Sequence, residues 1–290
     1  MQTLFYLSCM CHYDNYAANE SWKEEWALRN PTTNELVKWR GKVLAYDHRN
    51  LEFREWWIQR ALDMAAHDEI DGIFIDSICK AVHPAFCPPD HEEAYIATAN
   101  ELRDRLPEGK LLIGNALRAH MGGDCNMKHL KYLDGSYLEG WQKSNETIAT
   151  TVKIMSAAAK QGRMIMLVSE LEKFMDEEAK EAVDALTTAD ERYDAVEKYV
   201  DFNLGIHLLA VEKYGYFCTR YGMPDANPAK LPVLDPTRFA KVMQKLGKPM
   251  GDYVQKTDYI FEREFEYLKL RVNIKVKGAT LTAKEGKEEL

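Results

Sequence analysis

Short apolar runs and amphipathic stretches alternate along the whole chain. A continuous run of large apolar residues reads as a strand buried on both faces, and apolar positions three and four apart read as a helix. The clearest run is Asp71-Gly72-Ile73-Phe74-Ile75-Asp76-Ser77, in which a turn dipeptide precedes three large apolar residues and then a carboxylate. Similar runs predict strands over 4–10, 42–47, 110–115, 133–138, 163–170 and 214–219, seven in all with the first. Between them, Asn50 caps a helix with Phe53, Trp57, Ala61 and Met64 on one face. Further helices are predicted over 92–106, from Asn145 through Ile148, Val152, Met155 and Ala159, and over 193–211.

Strands alternating with helices predict an α/β fold with a parallel sheet. The length of 290 residues accommodates a TIM-type (β/α) barrel of about 250 residues. Seven strands fit a barrel that lacks its first βα unit, and a seven-strand or open barrel is the alternative. Paired prolines in Cys87-Pro88-Pro89 make 77–91 an irregular loop, and the acidic span 172–191 reads as a solvated loop or helix face. Toward the end the period changes: 259–265 and 268–275 alternate like a β hairpin, followed by a basic tail to Lys287. The expected division is a barrel over 1–245 and a β segment over 246–290 packed on its flank.

Net charge narrows the partners. At −8 the chain lacks the basic footprint that nucleic acid or an anionic membrane surface requires, and a neutral glycan is left open. No run approaches the roughly 18 apolar residues of a membrane span. The first residues read as a strand with no basic leader before it, which fits a protein kept inside the cell or a sequence that starts after a removed segment. Six scattered cysteines read as buried thiols. Cys9-Met10-Cys11-His12 lacks a second ligand pair, and His12, His48, His83 and His120 do not pair at ligand spacing, so no metal is expected. Gly122-Gly123 marks a turn and not a phosphate loop, so no cofactor is expected. Oligomeric state has no signature in the sequence.

In a parallel barrel the C-terminal ends of the strands converge on one mouth. Here they deliver Tyr13 and Asp14, Tyr46 and Asp47, Asp76, Asn115, Glu139 and Trp141, Glu170, then Thr219 and Arg220. Paired carboxylates beside aromatic faces suit glycosidic bond cleavage: one attacks the anomeric carbon or activates water, and the other protonates the departing oxygen. Asp76 and Glu139 form the expected pair, with Glu170 in reserve. Tyr13, Asp14, Tyr46, Asp47, Asn115, Trp141, Glu170 and Arg220 are the expected substrate contacts. Each has a plainer reading: Asp76 as a helix cap, Asp47 as a helix entry, Glu170 as a rim salt bridge.

The run Tyr46-Asp47, Asn50, Arg54, Trp56-Trp57 and Asp71 to Asp76 resembles the hypothetical glycosyl hydrolases with TIM barrels. Tyr137-Leu138-Glu139-Gly140-Trp141 matches the place of their second acid. Gly247-Lys248-Pro249, Arg263-Glu264-Phe265 and Val272-Asn273 are similar to their closing segment, so the resemblance spans about 4–276. It implies a glycoside hydrolase acting on a poly- or oligosaccharide, with Asp76 as nucleophile, Glu139 as acid/base and retention of configuration. A non-catalytic glycan-binding barrel is the first alternative. Another barrel enzyme, a metal-dependent hydrolase or a carbon–carbon lyase, is the second.

Overall fold

The computed structural model describes residues 2–83, 87–221 and 235–284. The chain divides into two compact units, Met1–Leu117 with Asn126–Tyr137, and Arg118–Cys125 with Leu138–Leu290.

The first unit holds β1 (Leu4–Ser8), a short hairpin of β2 (Lys38–Trp39) and β3 (Val43–Leu44), α1 (Leu51–Ala65), β4 (Gly72–Asp76), the single turn α2 (Ile78–Ala81), α3 (His91–Arg105), β5 (Leu111–Gly114) and β6 (Gly135–Leu138). Its parallel strands lie in the order β1-β4-β5-β6. Gly72 sets the approach of β4 to β5, because a Cβ there would sit 2.2 Å from the Leu111 carbonyl oxygen. Register pairs Ser8 with Asp76 and Ile75 with Gly114, so three strands end at one edge. Helix α1 begins where its cap predicts, the Asn50 side chain accepting from the amides of Glu52 and Phe53 at 3.0 Å each. Of the two adjacent indoles, Trp57 is fully buried and donates to the Ser8 carbonyl at 2.9 Å, while Trp56 turns outward to the Ser21 hydroxyl.

One predicted strand is absent: only Val43–Leu44 within 42–47 is extended into a ladder, and it pairs antiparallel with Lys38–Trp39. The backbone of this stretch bonds to the loop around it. Tyr46 donates to Met10, Asp47 to Trp26 and Ala45 to Val37, while Leu28 donates to Ala45. β1 therefore lies directly beside β4.

The second unit holds α4 (Asn145–Lys160), β7 (Met164–Glu170), α5 (Glu177–Ala185), α6 (Ala189–Ala210), β8 (Gly215–Arg220), then β9 (Val254–Thr257), β10 (Ile260–Glu264), β11 (Leu268–Asn273) and β12 (Gly278–Ala283). β7 and β8 are parallel, and the last four form an antiparallel sheet in the order β12-β11-β10-β9. The predicted hairpin is the β10–β11 pair at its centre. The basic tail toward Lys287 lies from residue 285 outside the described residues. Helix α4 opens at Asn145 as read, capped by Ser144 in a capping box with Thr147. Helix α6 packs against β11 and β12 through Gly205, where a Cβ would lie 2.6 Å from that of Ala279. At the end of α6 the buried Arg263 of β10 donates to the carbonyls of Leu208 (3.0 Å) and Val211 (2.7 Å), to Gly251 (3.0 Å) and to Glu212 (2.7 Å).

The parallel strands described are thus four in one unit and two in the other, and neither unit closes a barrel by itself. No helix among the described residues is long and apolar enough to cross a membrane.

Each unit buries a neutral histidine. Burial, then the charge of His91, pushes His48 down to about 3, and burial alone pushes His207 down to about 4. Both stay unprotonated in the folded chain at pH values where the unfolded chain takes up protons. Their contribution is therefore complete above about 6.5 and is lost as pH falls from there toward 3–4, by roughly 1.4 kcal/mol per pH unit for each. Denaturant unfolding between pH 7 and 4.5 should show this loss, and His207→Gln should flatten it; an unchanged slope in the variant would remove His207 from the account.

Candidate functional site

A polar cluster of the first unit surrounds Asp76, the last residue of β4. Its Oδ2 accepts from the Tyr6 hydroxyl at 2.8 Å and from Ser77 Oγ at 3.4 Å, and its Oδ1 accepts from Asn115 Nδ2 at 3.0 Å. Tyr6 comes from β1 and Asn115 follows β5, so the shared strand edge is what brings the three together. Two rings bracket Tyr6. Phe74 is stacked at 6.1 Å and Tyr16 is edge-on at 6.0 Å, and the Tyr16 hydroxyl donates to the Tyr6 carbonyl. Burial, then the charge and hydrogen bond of Asp76, push the Tyr6 phenol far above its ordinary value, so it stays a donor. Tyr13 is pushed up to about 12 by burial, then by Cys11, with Asp76 adding to it.

Ser77 holds a left-handed backbone (φ 72°) although it is not glycine. A serine in that region is uncommon, and such conformations collect where a site needs them. The turn brings Lys80 back toward the same place, its Nζ 3.2 Å from Ser77 Oγ and 3.4 Å from Cys11 Sγ.

Other expected contacts in this unit lie elsewhere. Asp47 is bound by Arg49, at 2.9 Å to both carboxylate oxygens, and Arg49 also reaches Asp90. Burial pushes Asp47 up, but the hydrogen bonds and charge of Arg49 outweigh it and hold the carboxyl below its usual range. Tyr46 is buried, its hydroxyl donating to Asn19 at 2.8 Å, so it offers no face to a sugar and its expected role is corrected to core packing. Asp14 is exposed, with His12 at 3.4 Å as its neighbour, and the His12 ring stacks on Trp22 at 3.9 Å.

In the second unit Glu139 follows β6 and faces Arg118, whose Nη2 donates to Oε1 at 3.0 Å. Gly140 then takes φ 63°, which turns the chain inward at Trp141. Trp141 is fully buried, donating to the Val168 carbonyl at 3.0 Å and lying against Phe174. A ring without an exposed face cannot stack on a pyranose, so Trp141 too is corrected to a core residue. Glu170 and Arg220 are register partners at the ends of β7 and β8 and form an ion pair at 2.5 Å, the plainer of the readings for Glu170. Asp76 and Glu139 stand in different units.

Two pairs of expected site residues touch among the described residues, Asp76 with Asn115 in the first unit and Glu170 with Arg220 in the second. Sequence reasoning missed Tyr6, Ser77 and Lys80. Tyr6 carried one signal, a polar tip inside an otherwise apolar strand. Among the described residues no group of three or more His, Cys, Asp and Glu is placed to hold a metal ion.

The family model described as hypothetical glycosyl hydrolase family 15 matches residues 1–269. No protein of curated function matches the sequence. Among solved structures, the noncanonic maltogenic alpha-amylase AmyB from Thermotoga neapolitana is similar at a TM-score of 0.52 and 14% identity, over 94% of this chain and 65% of that one. The alpha-amylase from Geobacillus thermoleovorans, complexed with acarbose, aligns at a TM-score of 0.49 and 12% identity, over 93% and 65%. The glycoside hydrolase domain of PelA from Pseudomonas aeruginosa aligns at 0.46 and 15%, over 78% and 79%. The chain thus spans about two thirds of the two amylases, and the Thermotoga likeness is one of fold.

Proposed function

The chain belongs to hypothetical glycosyl hydrolase family 15, and on that premise we propose that it hydrolyses the glycosidic bonds of a poly- or oligosaccharide with retention of configuration. The observation that carries the reading is Asp76, a carboxylate at the end of a parallel strand held by the donors Tyr6, Asn115 and Ser77. Such a group is fixed in direction, which is what attack on an anomeric carbon needs. Asp76 forms the glycosyl ester while the departing oxygen takes its proton from Glu139. Glu139 then removes a proton from water as the water opens the ester, so two displacements restore the starting configuration. Tyr6 keeps its proton throughout and gives Asp76 an anchor at each stage. Arg118 orients Glu139.

The test is the anomeric form of the first product, followed by NMR during hydrolysis of a glycan panel. Retention is expected. Inversion would end the nucleophile role of Asp76, and binding without turnover across the panel would leave a glycan-binding protein.

A further inference from the structure

Four cations of the first unit, three on the β2–β3 hairpin and Lys80 on α2, enter no ion pair among the described residues, and Lys80 reaches the Asp76 cluster through Ser77 Oγ. The β2–β3 hairpin reads Lys38-Trp39-Arg40-Gly41-Lys42, with Lys38, Arg40 and Lys42 exposed. Among the described residues, none of the three enters an ion pair within 4.0 Å, nor does Lys80, while most other basic side chains in this unit do. Lys80 is half-buried, and its direct contacts among the described residues are neutral: the Ser77 hydroxyl, the Cys11 thiol and the Trp39 ring, whose centroid is 5.2 Å from its Nζ. The hairpin is joined to the site by that contact and by Ser77 Oγ, which also touches Asp76. Its tip is formed with care, since Arg40 and Gly41 take successive left-handed conformations (φ 50° and 70°) and the turn closes through Lys42 N–H to the Trp39 carbonyl at 3.1 Å.

Exposed and half-buried cations without a carboxylate partner are free to meet anionic groups that a ligand brings. The protein as a whole is acidic, at −8, so an unpaired basic group around an indole is a local arrangement and not a general excess of lysine. Indole faces suit sugar rings, and ammonium and guanidinium groups suit carboxylate or sulfate substituents.

We propose that the Lys38–Lys42 hairpin and Lys80 select an anionic glycan, one carrying carboxylate or sulfate groups, for the Asp76 site. This rests on the glycoside hydrolase reading and names its substrate class. Nucleic acid carries the same charge without the sugar geometry, and the protein's overall acidity opposes it.

The experiment compares kcat/KM and binding on matched pairs: a uronate polysaccharide with its carboxyl-reduced form, and a sulfated glycan with its desulfated form. Wild type is expected to prefer one anionic partner roughly tenfold or more, with the preference shrinking as salt rises, and the pair that shows it identifies the substituent. In Lys80→Met, and in the combined Lys38→Gln, Arg40→Gln and Lys42→Gln variant, that ratio should fall toward one with the melting temperature unchanged. Lys256→Gln, on β9 of the other unit, should keep it. If the variants melt early, a wild-type ratio that ignores salt still decides against the proposal. Cleavage of neutral partners at equal rates overturns the proposal and leaves the hydrolase reading intact. Equal binding of single-stranded RNA overturns it as a general polyanion effect. Failure to cleave any partner, charged or neutral, overturns the hydrolase reading and this proposal with it.

Discussion

Asp76→Asn should lower kcat on a cleavable glycan on the order of 10⁴-fold, the scale seen when a member of a catalytic constellation is removed. The substitution is nearly isosteric, so the strand and its register with Ser8 and Gly114 should persist. What changes is chemistry: an amide cannot form the glycosyl ester, and its nitrogen replaces one of the two oxygens that accept from Tyr6 and Asn115, so one of those donors loses its acceptor. KM should change far less than kcat. Glu139→Gln should cost about 10²–10⁴-fold on natural substrates and much less on aryl glycosides, whose leaving groups need no proton. Stopped assays on both substrate types separate the two roles. Turnover of Asp76→Asn within tenfold of wild type would remove that residue from the chemistry.

The second large effect is on stability. Arg263→Ala should destabilise the protein by about 3–5 kcal/mol, because four polar partners lose a buried guanidinium at once. Two of them, the Leu208 and Val211 carbonyls, belong to the last turn of α6, where free carbonyls carry negative partial charge and a cation is favourable. Arg263→Lys keeps the charge but cannot serve the spread of acceptors, so it should recover only part of the loss. Denaturant unfolding measures both. A change below about 1 kcal/mol for the alanine variant would mean that water replaces the cap.

Much of the framework was legible because continuous apolar runs have few alternatives. β4, β5 and β7 are such runs, and each structure strand falls inside its predicted span. Segment 42–47 has the same look, yet its apolar side chains Ala45 and Tyr46 fill a loop core with Trp26 and Phe53, and composition cannot tell a sheet partner from a loop partner. Trp141 and Tyr46 were misjudged for a related reason: an aromatic residue beyond a strand packs inward as readily as it faces a ligand, and only burial decides. Asp76 was singled out from its position at the end of an apolar run. Tyr6, its closest partner, stands 70 residues away in sequence, and nothing local links the two. Asp47, by contrast, is claimed by Arg49 two residues on, a contact that spacing could have suggested.

The serine after Asp76 has one more bearing, on how this protein could be made hardier. Ser77→Gly would relax an unfavourable backbone angle and lose one donor to the carboxylate beside it. Selection for heat tolerance and selection for turnover therefore pull on that position in opposite directions, and a thermostable lineage that adopts glycine there should work more slowly at moderate temperature.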